Sequence, residues 1–250
     1  MKHADMNPVN VKDPQAIKDW NEQMIDKYKL VDYYDHHIPL IRWIERKRLN
    51  MILSELIASD DAESLEIGCG AGQVLERVPR GKLSGFDLSE RLVELTRKKI
   101  LNQFPERLGV LVPGDAQAWP EAIRERSYTN IFCSEVIEHI PEPRKLMENL
   151  WGVADEHTRA IVISTPNEPL INRLKKFFIS IGLFKKLFPN ISNDMTEEWH
   201  LSSFDIPLMK KMCDGLFLIK KIQGVPFRWL PVRYVFSLEK IKSDDHDTRS

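Results

Sequence analysis

LEIGCGAGQVL, residues Leu65–Leu75, runs an apolar segment straight into three glycines, Gly68, Gly70 and Gly72, and FDLS, ending at Ser89, closes the next apolar run on an acid, Asp87. Glycine carries no β-carbon, so the backbone at these positions can come close to a ligand. A helix expected over 72–78 would present unpaired N–H groups beside them. The Asp87 carboxylate can accept both hydroxyls of a ribose. Strand, glycine turn and acid together predict a pocket for an adenosine-containing molecule; a tight strand-to-helix turn without a ligand is the alternative.

The spacing narrows the choice. Dinucleotide pockets use G-x-G-x-x-G, with a pyrophosphate on the helix N-terminus. Here the third glycine comes one position early, and a carboxylate, Glu66, lies inside the first strand. S-adenosylmethionine has no phosphate but carries a sulfonium and an ammonium, which an acid at the strand end suits. The segment resembles motif I of the class I S-adenosylmethionine-dependent methyltransferases, and Asp87 resembles their ribose-binding acid. Two later segments agree, VPGDAQAWP (Val112–Pro120) and NIFCSEVIEHIPEP (Asn130–Pro143). The resemblance implies that Asp115 binds the adenine amine and that the Ala116 N–H meets a ring nitrogen; alternatively Asp115 caps its own turn. It implies that Ser134 and Glu135, opening a short helix, flank the methionine moiety, and that Cys69 and Leu88 join the cofactor wall. Relatives carry an acid before the fourth strand where this chain has Thr129 and Asn130.

Composition sets outer limits. The chain has 250 residues, 42% hydrophobic, with net charge −1, enough for one α/β domain with additions and without the bulk positive charge that attracts nucleic acid. Cys69, Cys133 and Cys213 form no CxxC pair, so neither a disulfide framework nor a zinc site is indicated. No metal site is expected, since Asp115, Asp155 and Asn167 do not make a convincing cluster. A polar N-terminus and the lack of any run near ~20 apolar residues predict a cytoplasmic protein.

Alternation predicts strands over 64–67, 83–87, 109–112, 129–133 and 160–164 and helices over 72–78, 89–103, 117–124 and 143–153, hence a Rossmann-like doubly wound, mostly parallel sheet. A helix over 204–214 and strands over 216–223 and 232–239 are expected to end the fold in an antiparallel edge hairpin. Glu66, Asp87, Asp115 and Ser134 then gather at carboxyl strand ends, where such sheets bind ligands. Residues 1–58 read as a tail and two capping helices, 59–242 as the methyltransferase domain, and 243–250 as a charged, disordered tail. On the second helix Ile41, Ile44, Leu49, Ile52 and Leu56 form an apolar stripe, and Glu45 and Arg48 are expected to lay their stems along it with charged ends in water.

Residues 168–203 form a helical insertion; its stretch 170–190 is basic and carries Phe177, Phe178, Phe184 and Phe188. Packing on the domain, a lid over an apolar or aromatic acceptor, and weak contact with a membrane surface are the three readings. The resemblance is nearest the branch of ubiquinone-pathway O-methyltransferases and bacterial natural-product enzymes, which implies methyl transfer to oxygen of a small molecule. Transfer to nitrogen or carbon, or an inactive cofactor-binding regulator, are the alternatives. For a base, His139 and His200 are the candidates, with Glu198 able to orient His200; a helix-terminal or packing role is the alternative for both.

Overall fold

The structure is a computed structural model and describes residues 13–28, 38–184 and 200–242. Two helices lead, α1 (Pro14–Tyr28) and α2 (Pro39–Glu55). The core then alternates: β1 (Glu63–Ile67), β2 (Lys82–Asp87), α3 (Glu90–Gln103), β3 (Leu108–Pro113), α4 (Glu121–Arg124), β4 (Asn130–Ser134), α5 (Pro143–Val153) and β5 (Ala160–Pro166). It ends with α6 (Glu168–Ser180), α7 (Ile206–Cys213), β6 (Phe217–Phe227) and β7 (Leu230–Lys240). The seven strands form one sheet in the order β3-β2-β1-β4-β5-β7-β6. β1 to β5 pair in parallel, while β7 runs antiparallel to both β5 and β6. The expected mostly parallel sheet with an antiparallel edge hairpin is therefore present.

The chain reverses its direction of travel across the sheet between β1 and β4, which opens a crevice beyond their carboxyl ends. One sheet face packs on α5 and α7 through Leu146, Met147, Leu150 and Met209. The other packs on α2 and α3 through Leu49, Ile52, Leu56, Val93 and Ile100. Each helix contributes one apolar stripe at period 3.6, which is why the alternating pattern closes a two-sided sheet. Asn130 explains the departure before β4. Its Oδ1 accepts the Ile57 N–H at 2.8 Å, and its Nδ2 donates to the Ile57 carbonyl and the Ser64 hydroxyl at 3.0 and 2.9 Å, tying the α2–β1 connection to the sheet.

Four local expectations need correction. The helix over 72–78 is only a turn and a 3-10 segment, Leu75–Arg77, because left-handed Gly72 (φ +75°) and Pro79 leave too few residues between them. The helix over 117–124 shrinks to α4, since Asp115–Ala118 makes a turn and Pro120 precedes the first helical residue. Glu135 does not open a helix; it sits in the left-handed region at φ +56°, and the following 3-10 turn covers Ile137–His139. Glu45 and Arg48 do not reach water: both are 1% exposed.

The insertion partly matches its packing reading. Phe184 is buried and Phe178 lines the central cavity, whereas Phe177, Ile179 and Ile181 are exposed on or just after α6. Phe188, Glu198, Tyr33 and Tyr34, the tail 243–250 and the tail before residue 13 lie outside the described residues. Among the described residues no helix is long and apolar enough to cross a membrane.

Candidate active site

A cavity of about 790 Å³ occupies the crevice at the carboxyl ends of β1, β2 and β4. Its inner end is the glycine turn. Gly68 has φ +67°, and a β-carbon there would lie 2.4 Å from Val136 Cγ2, so no other residue fits without displacing that wall. Gly70 has φ +49° with nothing within 4 Å of a β-carbon position: it opens onto the cavity. Asp87 holds this turn in place, Oδ2 accepting the Gly70 N–H and Oδ1 the Ser89 N–H, both at 2.9 Å. Two bonds leave its remaining lone pairs for ligand hydroxyls.

Glu66 lies beneath the turn, 2% exposed, and its Oε2 has no hydrogen-bond partner among the described residues. Burial pushes its carboxyl well above the ordinary 4.5, and the neighbouring Asp87 charge adds to the effect against the Leu75 N–H. Burial also raises Asp87. An orphaned buried carboxylate is costly until a cation reaches it. The two acids, the open glycine and the absence of phosphate-binding cations in this turn fit a donor that carries an ammonium and a ribose.

These shifts have a consequence for pH. A carboxyl whose folded pKa is raised contributes stability that is complete below the unfolded value of 4.5 and is lost as pH rises through the folded value. These two acids therefore withdraw stability from the free protein as pH rises above their ordinary values. If these acids hold the ammonium, as the resemblance implies, S-adenosylhomocysteine should raise Tm more at pH 8 than at pH 5. A ligand-induced shift that shrinks with pH would contradict this assignment.

Farther along the wall, Leu88, Asp115, Ala116 and Gln117 follow. Asp115 does cap its own turn, Oδ1 accepting the Gln117 N–H at 2.8 Å, and it also faces the cavity. Cys69 lines the cavity too; burial raises its thiol pKa, which keeps it an inert wall residue. Gly72 does not line it; its left-handed turn packs on Thr96, whose hydroxyl donates to the Gly70 carbonyl at 2.8 Å.

The floor beneath β4 and β5 is an ionic network. Arg48 Nε lies 2.9 Å from Glu45 Oε2, and its guanidinium donates to Ser134 Oγ at 2.6 Å and Ser164 Oγ at 3.0 Å. Arg233 Nε meets Glu135 Oε2 at 2.8 Å, and its other arm stands 3.4 Å from Glu45 Oε1. Ser134 and Glu135 thus reach the cavity as expected, but already engaged by two arginines.

Beyond the floor, Glu138, His139 and His200 come together. The two rings pack edge to face with centroids 4.9 Å apart. The Leu201 and Ser202 N–H groups donate to the Glu138 carbonyl at 2.9 and 3.1 Å, hanging the segment after residue 199 on the β4 turn. Burial and the Arg233 charge push the His200 imidazole down to about 3, so it is neutral at physiological pH. Glu138 is 1% exposed with Oε2 unpartnered among the described residues, and burial with the Glu135 charge raises it well above its ordinary value. One ligand atom from each of the three lies within 4.8 Å of the others, the reach of a divalent cation. Asp115, Asp155 and Asn167 make no such group: Asp155 caps a surface turn and Asn167 caps α6.

The mouth is apolar. Ile41, Trp43 and Ile44 of α2, Ile171, Leu174 and Phe178 of α6, and Phe227, Leu230 and Val232 of the hairpin surround it, and Ile17, Trp20 and Ile25 of α1 cover the cofactor side. The leading helices therefore cap the pocket.

Residues 34–214 match the family model described as a methyltransferase domain, more than half of the chain. The chain belongs to the methyltransferase domain family. Its fold is that of the class I S-adenosylmethionine-dependent methyltransferases. It is 26% identical over 148 residues to the ubiquinone biosynthesis O-methyltransferase of Photorhabdus laumondii, covering 56% of this chain and 59% of that protein. The same enzyme of Vibrio cholerae is 26% identical over 139 residues, 55% of this chain and 54% of that one. The chain thus spans less than two thirds of the length of the curated relatives it matches. Magnesium protoporphyrin IX methyltransferase from Synechocystis, solved with bound S-adenosylhomocysteine, superposes with a TM-score of 0.64 at 17% identity over 92% of this chain and 100% of that one. A small RNA methyltransferase superposes at 0.59 and 16% identity, over 80% of this chain and 25% of that one. One fold serves both kinds of acceptor, so the acceptor must be argued from the site.

For this methyltransferase-family member, sequence reasoning missed Arg48, Arg233, Glu138 and Glu168. Arg48 and Glu45 carried a signal, two charges inside an apolar stripe at i and i+3, the spacing at which helical side chains meet. Arg233 carried none, because only the β5–β7 pairing brings it to the cavity.

Proposed function

We propose that this chain transfers the methyl group of S-adenosylmethionine to an oxygen of an apolar or aromatic small molecule. The observation that carries the reading is one continuous cavity lined by acids at the glycine turn, by two imidazoles and by apolar side chains of α2, α6 and the hairpin. S-adenosylmethionine, when bound, supplies an electrophilic methyl on a sulfonium. Glu66 would meet its ammonium, Asp87 its ribose, and Asp115 with Ala116 its adenine. The leaving thioether is neutral, so the chain's main task is alignment, which can supply about 7–11 kcal/mol of the barrier. An acceptor hydroxyl must also lose its proton, and His139 and His200, which both line the cavity, are the candidates to take it.

Ligand-dependent melting tests the cofactor. At about 100 Kd, S-adenosylhomocysteine adds about 2.7 kcal/mol and a clear rise in Tm. NAD adds nothing. No shift with the former, on folded material, ends this reading and favours a chain without cofactor.

A labelled-methyl assay across phenols, carboxylic acids and amines tests the acceptor. With a phenol accepted, His200→Gln is expected to cost about 10²-fold in turnover, the low end for a positioned base, because burial holds its imidazole down at about 3. Unaltered turnover in both His139→Gln and His200→Gln would remove the histidines from the chemistry. Grouping of Glu138 with both imidazoles supports a second reading of the same step, in which a divalent cation lowers the pKa of the acceptor hydroxyl. Chelation, followed by return of Mg²⁺, Mn²⁺ or Zn²⁺, separates the two: activity lost and restored selects the cation, and indifference selects the free base.

A further inference from the structure

His200 reaches the cavity from a segment without regular structure, and its ring orientation has to come from a second group. Its Nδ1 lies 2.6 Å from Glu168 Oε1. Glu168 is 4% exposed, occupies the first turn of α6 behind the Asn167 cap, and is not part of the cavity wall. A helix N-terminus favours a carboxylate there. Ser203 bonds the same carboxyl, so Glu168 grips the segment on both sides of Leu201. With Nδ1 turned toward α6, Nε2 is the nitrogen left to the cavity, and it has no partner among the described residues.

A neutral imidazole has one proton for two nitrogens, and the partner of one decides the role of the other. A carboxylate can only accept, so it keeps the proton on Nδ1 and the lone pair on Nε2. In water the opposite tautomer is preferred, with the proton on Nε2, which could neither take a proton nor bind a cation from the cavity side.

We propose that Glu168 is the positioning residue of this site, holding His200 as the Nδ1–H tautomer with the Nε2 lone pair directed into the cavity. This rests on the reading of His200 as base or cation ligand, and it holds for either. The sequence nominated Glu198 for this part, a residue outside the described ones; Glu168 is far from His200 along the chain and joins it only through the start of α6.

The test uses the full chain with ¹⁵N-labelled histidine at pH 8. The His200 signals are assigned by their loss in His200→Gln. The native chain should show the Nδ1–H tautomer at His200. Glu168→Met, which keeps the buried volume and removes the acceptor, should shift it toward Nε2–H. In the same variant turnover should fall about 10–100-fold, the usual cost of losing such an outer partner, with the KM for S-adenosylmethionine unchanged. Glu168→Gln, whose amide oxygen still accepts from Nδ1–H, should recover part of it. An Nε2–H tautomer in the native chain overturns the proposal, and so does loss of turnover with the tautomer unmoved, which would make Glu168 structural only. Should Glu168→Met not fold, the native tautomer decides alone. If no acceptor is ever methylated, the functional reading fails while the tautomer measurement still stands.

Discussion

Replacing Asp87 with alanine is expected to weaken binding of S-adenosylhomocysteine by about 10²–10⁴-fold while the chain stays folded. Two hydroxyl bonds to a carboxylate are worth about 1.5–3 kcal/mol each, and both are lost together. The side chain also receives the Gly70 and Ser89 N–H groups, so its removal loosens the turn that presents Gly70 to the ligand. Asp87→Asn separates the two contributions: it keeps one acceptor for the turn and loses the charge, and should fall between. Calorimetry gives the affinities, and the melting temperature of the free variants reports any loss of fold. A decrease under about tenfold for Asp87→Ala would place the ribose elsewhere.

The second large effect is on stability. Arg48→Ala leaves Glu45, 1% exposed, with its main partner gone, and breaking a buried pair in this way costs about 3–5 kcal/mol. At about 2–4 °C per kcal/mol for a chain of this size, Tm should drop by about 6–20 °C. Arg233, 3.4 Å from the same carboxylate, retains part of the compensation and favours the lower end. Adding Glu45→Gln to Arg48→Ala should restore part of the loss, because no buried charge is then stranded. Strictly additive losses in the double variant would show that the two side chains do not act as a pair.

These two residues also mark where sequence reading stops. Asp87's place beside the glycine turn was legible because strand, turn and acid all lie within one stretch of chain. Gly68 and Gly70 were legible for the same reason, and their left-handed backbone agrees. The alternating pattern placed the strands to within a few residues because apolar period and turn residues are local properties. Arg48 was misread: a charge on a helix stripe is ordinarily solvated along its stem, and only β4 and β5 supply Ser134, Ser164 and Glu135 to hold it in the interior. The helix over 72–78 was misread because its apolar spacing hid how little chain lies between a left-handed glycine and a proline.

By itself the sequence determined the sheet, the glycine turn with Asp87 beside it, and the family, since each depends on residues close together in the chain. Only the tertiary structure decided the ionic floor, the union of Glu138, His139 and His200, and the hold of Glu168 on His200. Those groups come from α2, the β4 turn, α6, the segment before α7 and the hairpin, and a desolvated charge becomes tolerable only where folding delivers its partner.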